Sequence, residues 1–132
     1  MTQQRGQILG IGGIFFKSGD QPRLTKWYRE HLGIQADGPS FAWLSRDQPQ
    51  RELFTAWSVF PETSDYFAPS QASFMVNYIV DDLDALLAKL SATGVRIDSK
   101  REDYPYGRFA WIYDPDGNKI ELWEAPAAPV QS

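Results

Sequence analysis

The 132-residue sequence predicts an α+β fold of two tandem modules, each running strand, helix, then three further strands. Two repeats carry this reading. Phe41-Ala42-Trp43-Leu44 is echoed by Phe109-Ala110-Trp111-Ile112, at an offset of 68 residues. The helix stop Leu32-Gly33-Ile34 is echoed by Thr93-Gly94-Val95, at an offset of 61. Trp57 and Trp123 then correspond at 66. The drift in offset implies loops of different length, not a different order of elements. The period is too long, and the copies too few, for a solenoid.

In module one, about residues 8–60, Ile11 to Ser18 is rich in Ile and Phe and reads as a strand. Pro22 suits a helical first turn, and Leu24, Trp27, Tyr28 and His31 follow at helical spacing up to Gly33. Short strands are expected at Ile34 to Asp37, Phe41 to Ser45 and Leu53 to Phe60. The charges at Arg46, Asp47, Arg51 and Glu52 read as a solvated hairpin. Residues 61–72 are polar, with two prolines, and read as a linker.

Module two, about 73–124, opens with a strand over Phe74 to Val80. Asp81 and Asp82 offer capping carboxylates for a helix whose Leu83, Leu86, Leu87 and Leu90 form an apolar stripe. Strands are expected at Arg96 to Arg101, Arg108 to Tyr113 and Lys119 to Trp123, the last two joined by the turn Asp114-Pro115-Asp116-Gly117-Asn118. Residues 125–132 read as a mobile tail.

Composition removes several classes. No cysteine is present, which excludes disulfides, zinc ribbons and thiol nucleophiles. No apolar run is long enough to span a membrane, and the start lacks a signal-peptide pattern, so no membrane partner and a cytoplasmic location are expected. The net charge of −4 and pI near 4.9 argue against a nucleic-acid partner. Aromatic residues make up 14%, a surplus that suits a dense core, an interface or a flat-walled pocket. Gly10-Ile11-Gly12-Gly13 is not a phosphate loop, because it lies before and within a strand; Gly12 and Gly13 instead suit close strand approach where the modules meet.

Three segments stand out: Trp27-Tyr28-Arg29-Glu30-His31-Leu32-Gly33-Ile34, Val80-Asp81-Asp82-Leu83-Asp84-Ala85-Leu86, and the stretch from Tyr106 through Asp114-Pro115-Asp116-Gly117-Asn118 to Trp123. Together they resemble the vicinal oxygen chelate superfamily of glyoxalase, bleomycin-resistance and dioxygenase proteins. The resemblance implies two βαβββ modules whose curved mixed sheet encloses a cavity, often within a homodimer. It also implies that metal-using members place ligands on the inner face of the first and last strand of each module. Those positions fall here on Gly13, Thr55, Met75 (within one residue) and Glu121. Only Glu121 is a proper hard-cation ligand, so no cofactor is expected and a divalent metal is the minority alternative.

Strand alternation places Lys119 and Trp123 with Glu121, and Ile120 and Leu122 toward the helices. The same alternation places Phe15, Lys17, Leu53, Trp57, Asn77 and Ile79 on the cavity face. The candidate ligand-binding set is Phe15, Trp43, Thr55, Trp57, Met75, Asn77, Tyr106, Arg108, Trp111 and Trp123, with Glu121 as candidate acid or base. Glu121 reads equally as a carboxylate paired with Lys17, Lys119 or Arg108. Tyr104, Tyr106 and Arg108 could orient a ligand at the cavity edge or belong to a loop packed by its own tyrosines. His31, the single histidine, reads as a structural group in the last turn of helix one.

Three functions remain open at this level. The first is metal-independent binding or sequestration of a flat or hydrophobic small molecule. The second is a glyoxalase- or dioxygenase-like enzyme that uses Glu121. The third is an interaction module whose aromatic surface serves dimerisation.

Overall fold

A computed structural model describes residues 5–46 and 48–126. Module one contributes β1 (Ile8–Ser18), α1 (Gln21–Leu32), β2 (Phe41–Ser45) and β3 (Gln48–Pro61). Module two contributes β4 (Phe74–Val80), α2 (Leu83–Ala92), β5 (Arg96–Tyr104), β6 (Gly107–Tyr113) and β7 (Lys119–Glu124). The seven strands form one open mixed sheet in the order β2-β3-β1-β4-β7-β6-β5. The α+β class and the repeated order of elements follow the sequence reading. Residues 127–132, most of the expected tail, and Asp47 of the expected hairpin lie outside the described residues.

Module one has one strand fewer than expected. Ile34 to Asp37 forms no strand, because Asp37 takes a left-handed φ of 62° and Pro39, which has no N–H, follows Gly38. The segment is tied down individually instead. Asp37 N–H donates to the Trp57 carbonyl at 3.0 Å, and Trp57 N–H donates to Ser40 Oγ at 3.0 Å.

Both helices carry the caps their sequences announce. Asp20 accepts from Arg23 N–H, and Gly33 closes α1 in the left-handed region at φ 71°. Asp82 accepts from Ala85 N–H at 3.0 Å and starts α2. Leu83, Leu86 and Leu87 then bury against Val80, Ala110, Ile112 and Leu122. Burying each such side chain contributes about 1.5–3 kcal/mol. By contrast, α1 has no buried residue, and Trp27 and Leu32 stand half exposed. His31 is exposed and lies against Trp27, with ring centroids 5.0 Å apart.

Sheet register sorts side chains into two faces. Trp57, Ile14, Val76, Ile120 and Ile112 line up across β3, β1, β4, β7 and β6 on the helix side. Ala56, Gly13, Asn77, Glu121 and Trp111 line up on the helix-free side. The modules join where β1 pairs antiparallel with β4. A Cβ at Gly12 there would collide with Asn77 Oδ1, so what fills the space over this glycine is side chains of β4 and β7 rather than a neighbouring backbone. No helix among the described residues is long and apolar enough to cross a membrane.

The connection between the modules is not a free linker. It folds back over the helix-free face as a strap. Phe67 is fully buried beside Met75 and Trp111, and Tyr66, Phe15 and Phe60 pack around them. Tyr66 stacks on Phe60 with centroids 5.6 Å apart and meets Trp111 edge-on. Nor are the first residues of the expected tail loose. Ala125 packs with Leu9, Leu53, Ile79 and Trp123, and Arg51 donates to the carbonyl of Ala125 at 3.0 Å.

Candidate functional site

The site begins with the row Ala56–Gly13–Asn77–Glu121–Trp111. Glu121 on β7 is 3% exposed and accepts three hydrogen bonds. Asn77 Nδ2 on β4 donates at 2.6 Å, and Trp111 Nε1 on β6 donates at 3.1 Å. The Tyr66 hydroxyl, delivered by the strap, donates to Oε2. Burial, and then the Glu121 charge, push the Tyr66 hydroxyl far above the usual tyrosine range, so it keeps its proton and remains a donor. A carboxylate has about four acceptor positions, so this one is nearly saturated by its own chain. The partners expected at Lys17, Lys119 or Arg108 do not reach it. Asn77 Oδ1 is buried without a partner.

Lys119 leaves Glu121 and donates to the Tyr66 carbonyl at 2.9 Å, with its ammonium 5.6 Å from the centroids of the Tyr66 and Trp111 rings. Burial lowers the pKa of that ammonium, and nearby Asp98 opposes the shift. The strap is therefore fastened from below through its hydroxyl and from the side through its backbone.

Above this fastening lies a cleft of about 280 Å³ lined by Tyr66, Glu102, Tyr104, Tyr106 and Phe109. Tyr104 and Tyr106 are stacked 4.9 Å apart, and both meet Phe109 edge-on. Phe109 stacks in turn on Trp123, whose Nε1 donates to the Tyr106 carbonyl at 2.8 Å. A larger groove of about 640 Å³ runs along α1 between Ser18 and His31. It is broad and charged and touches none of the row, so the aromatic cleft is the better candidate.

The structure distributes the expected site residues unevenly. Phe15, Met75, Asn77, Trp111 and Trp123 lie with Glu121 on the helix-free side. Tyr106 lines the cleft. Trp57 does not belong there: it pairs with Ile14 and packs 4.5 Å from Tyr28 of α1. Thr55 shares its side of β3, and its hydroxyl is taken by the Ile11 carbonyl and by Trp43 Nε1. Ala56, not Thr55, therefore stands in the row, and Asn77 stands there rather than Met75. Trp43 is held against Gly10 and Thr55 and packs on the cluster of Leu9, Leu53, Ile79 and Trp123, with no hydrogen bond to Glu121. Arg108 points to the α2 side, bonding Asp84 at 3.0 Å and approaching Asp103 and Glu124.

Sequence reasoning missed Tyr66, Phe67, Glu102 and Phe109. A signal existed for the first two, since adjacent aromatics interrupt a polar, proline-bounded segment. Glu102 lay one residue past the expected end of β5.

The donor set does not fit a divalent cation. The four family positions hold Gly13, Ala56, Asn77 and Glu121, and the one carboxylate already accepts three protein donors. No cluster of three His, Cys, Asp or Glu that could hold a metal occurs among the described residues.

Paired modules sharing one mixed sheet, with helices on one face and an aromatic site on the other, define a class of small α+β repeat proteins. Within that class, the chain belongs to the Glyoxalase/Bleomycin resistance protein/Dioxygenase superfamily, whose family model matches residues 10–122. Methylmalonyl-CoA epimerase from Mycobacterium tuberculosis is similar in structure at a TM-score of 0.65 and 18% identity, covering 96% of this chain and 94% of that one. Methylmalonyl-CoA epimerase from Streptomyces coelicolor, in complex with 2-nitronate-propionyl-CoA, is similar at 0.66 and 14%, covering 92% and 100%. At such identities the likeness shows the fold alone. In sequence, the chain is 42% identical over 48 residues to the uncharacterized protein YaeR of Escherichia coli (strain K12). That match spans 36% of this chain and 37% of the relative.

Proposed function

We propose that this protein binds a small, flat or hydrophobic molecule in the cleft beside Tyr66, without a metal. The observation that carries the reading is the state of Glu121. A buried carboxylate nearly saturated by Tyr66, Asn77 and Trp111 serves to fasten the strap that forms the cleft floor. The cleft is walled mainly by aromatic rings, the usual build of a small-molecule site. Its size suits a small molecule, or one end of a larger one.

The test is a fluorescence titration of the full chain with a panel of planar aromatic compounds, alongside elemental analysis of the purified protein. Quenching that saturates, and that Tyr106→Ala removes without lowering thermal stability, is expected. Stoichiometric metal, or binding indifferent to Tyr106→Ala, overturns the reading.

A second reading, a glyoxalase- or dioxygenase-like enzyme, has one observation in its favour. Tyr66 connects Glu121 to the cleft, a route by which a proton could pass. Its test is Glu121→Gln on any turnover found: turnover that survives in a folded variant removes Glu121 from the chemistry.

A further inference from the structure

We infer that the molecule taken by the cleft is an organic cation, an alkyl- or arylammonium, held by Glu102 against the rings of Tyr66, Tyr106 and Phe109. The inference rests on the reading of the cleft as the ligand site and adds the ligand's charge. Three observations support it.

The first is charge. Of the five side chains lining the cleft, Glu102 is the one that carries a charge at neutral pH, and the others are aromatic. A carboxylate beside aromatic rings is the arrangement that attracts an ammonium, through its charge and through the negative ring faces together.

The second is the direction of the hydroxyl protons. The Tyr104 hydroxyl donates to Glu102 at 2.7 Å, and the Tyr66 hydroxyl donates to Glu121. Both protons are spent on carboxylates. What these two tyrosines turn to a ligand is therefore oxygen lone pairs and ring faces. Acceptors of this kind suit a ligand that brings N–H donors and disfavour a carboxylate or phosphate beside Glu102.

The third is a stand-in within the chain. The Lys100 ammonium lies 3.1 Å from Glu102 and 5.8 Å from the centroid of the Trp111 ring. The molecule thus already places an alkylammonium between Glu102 and an aromatic ring, here Trp111, which meets the cleft residue Tyr66 edge-on. The Lys100 side chain is 61% exposed. An exposed pair of this kind holds weakly, so a ligand ammonium can displace it.

The experiment is calorimetric titration of the full chain with three probes that share a phenyl group: phenethylammonium, 2-phenylethanol and 3-phenylpropionate. The expected order is cation, then alcohol, then carboxylate, with the cation about tenfold tighter than the alcohol. In Glu102→Gln the first two should converge to within about twofold, and in Lys100→Met the cation should bind tighter than in the wild type. Both residues lie on the exposed edge strand β5, and unchanged melting temperatures confirm that the fold is intact. Equal binding of all three probes, or a cation preference that survives Glu102→Gln, overturns the inference while the cleft remains a binding site. Absence of binding by every probe overturns the cleft reading and the inference together.

Discussion

Tyr66→Phe isolates the strap's lower fastening. The substitution keeps the ring, so the contacts with Phe60, Phe67 and Trp111 persist. What disappears is one hydroxyl that donates to a buried, charged acceptor. A hydrogen bond to a charged group is worth about 1.5–3 kcal/mol, and here Glu121 Oε2 would keep only the Trp111 Nε1 donor in a side chain that is 3% exposed. We expect a loss near 2 kcal/mol. For a chain of this length that is a fall in melting temperature of roughly 6–10 °C. Denaturant titration measures the loss, and a double-mutant cycle assigns it. In a Glu121→Gln background, Tyr66→Phe should cost less than about half its cost in the wild type. A cost below about 0.5 kcal/mol, or equal costs in both backgrounds, would refute the claim that Glu121 fastens the strap.

Three other outcomes are expected. Gly12→Ala should destabilise by about 1–3 kcal/mol in thermal melts, because its Cβ would collide with Asn77 Oδ1 and stand 2.7 Å from Ile79 and 3.0 Å from Trp123; a neutral result would mean that the module junction relaxes freely. Burial and then the bond to Asp98 push Tyr113 up to about 12. A raised tyrosine contributes stability that is fully present below its unfolded value and is lost as pH rises through about 10 to 12, so Tyr113→Phe should flatten the alkaline fall in denaturation midpoint, and an unchanged slope would refute the assignment. Millimolar Mg²⁺, Mn²⁺, Ni²⁺ or Zn²⁺ should shift the melting temperature by less than about 1 °C, whereas a shift of several degrees for one of them would contradict the mismatch between donors and cation.

Much of module two was legible because each element there satisfies one demand at a time. The helix α2 has a capping aspartate and a single leucine stripe, and β4 sits between a polar segment and that cap. The face of β3 was not legible. Its two alternating sets, Leu53-Thr55-Trp57 and Phe54-Ala56-Ser58, are both largely apolar, because the strand is covered on both sides. Alternation then has no contrast to report. Parity cannot be carried over from β1 to its other neighbour β4 either, since their pairing shifts register between Ile8 and Gly10 and between Ile11 and Gly13. The expected strand at Ile34 to Asp37 failed for a local reason, the left-handed Asp37 beside Gly38-Pro39. Tyr66 was hidden for the opposite reason. Its role depends on a fold-back across 55 positions to Glu121, which no local pattern encodes.

The strap also bears on how the chain can be divided. Duplicated modules invite the idea that each half folds alone and that a cut between them is harmless. Phe67, fully buried between strands of both halves, argues otherwise. Cleavage within residues 62–73 would release the one covering that Phe60, Met75 and Trp111 share, and the exposed ring surface would draw the fragments back together or into aggregates. The duplication is thus visible in the order of elements, while the burial of Phe67 ties the packing of the two halves to their joint.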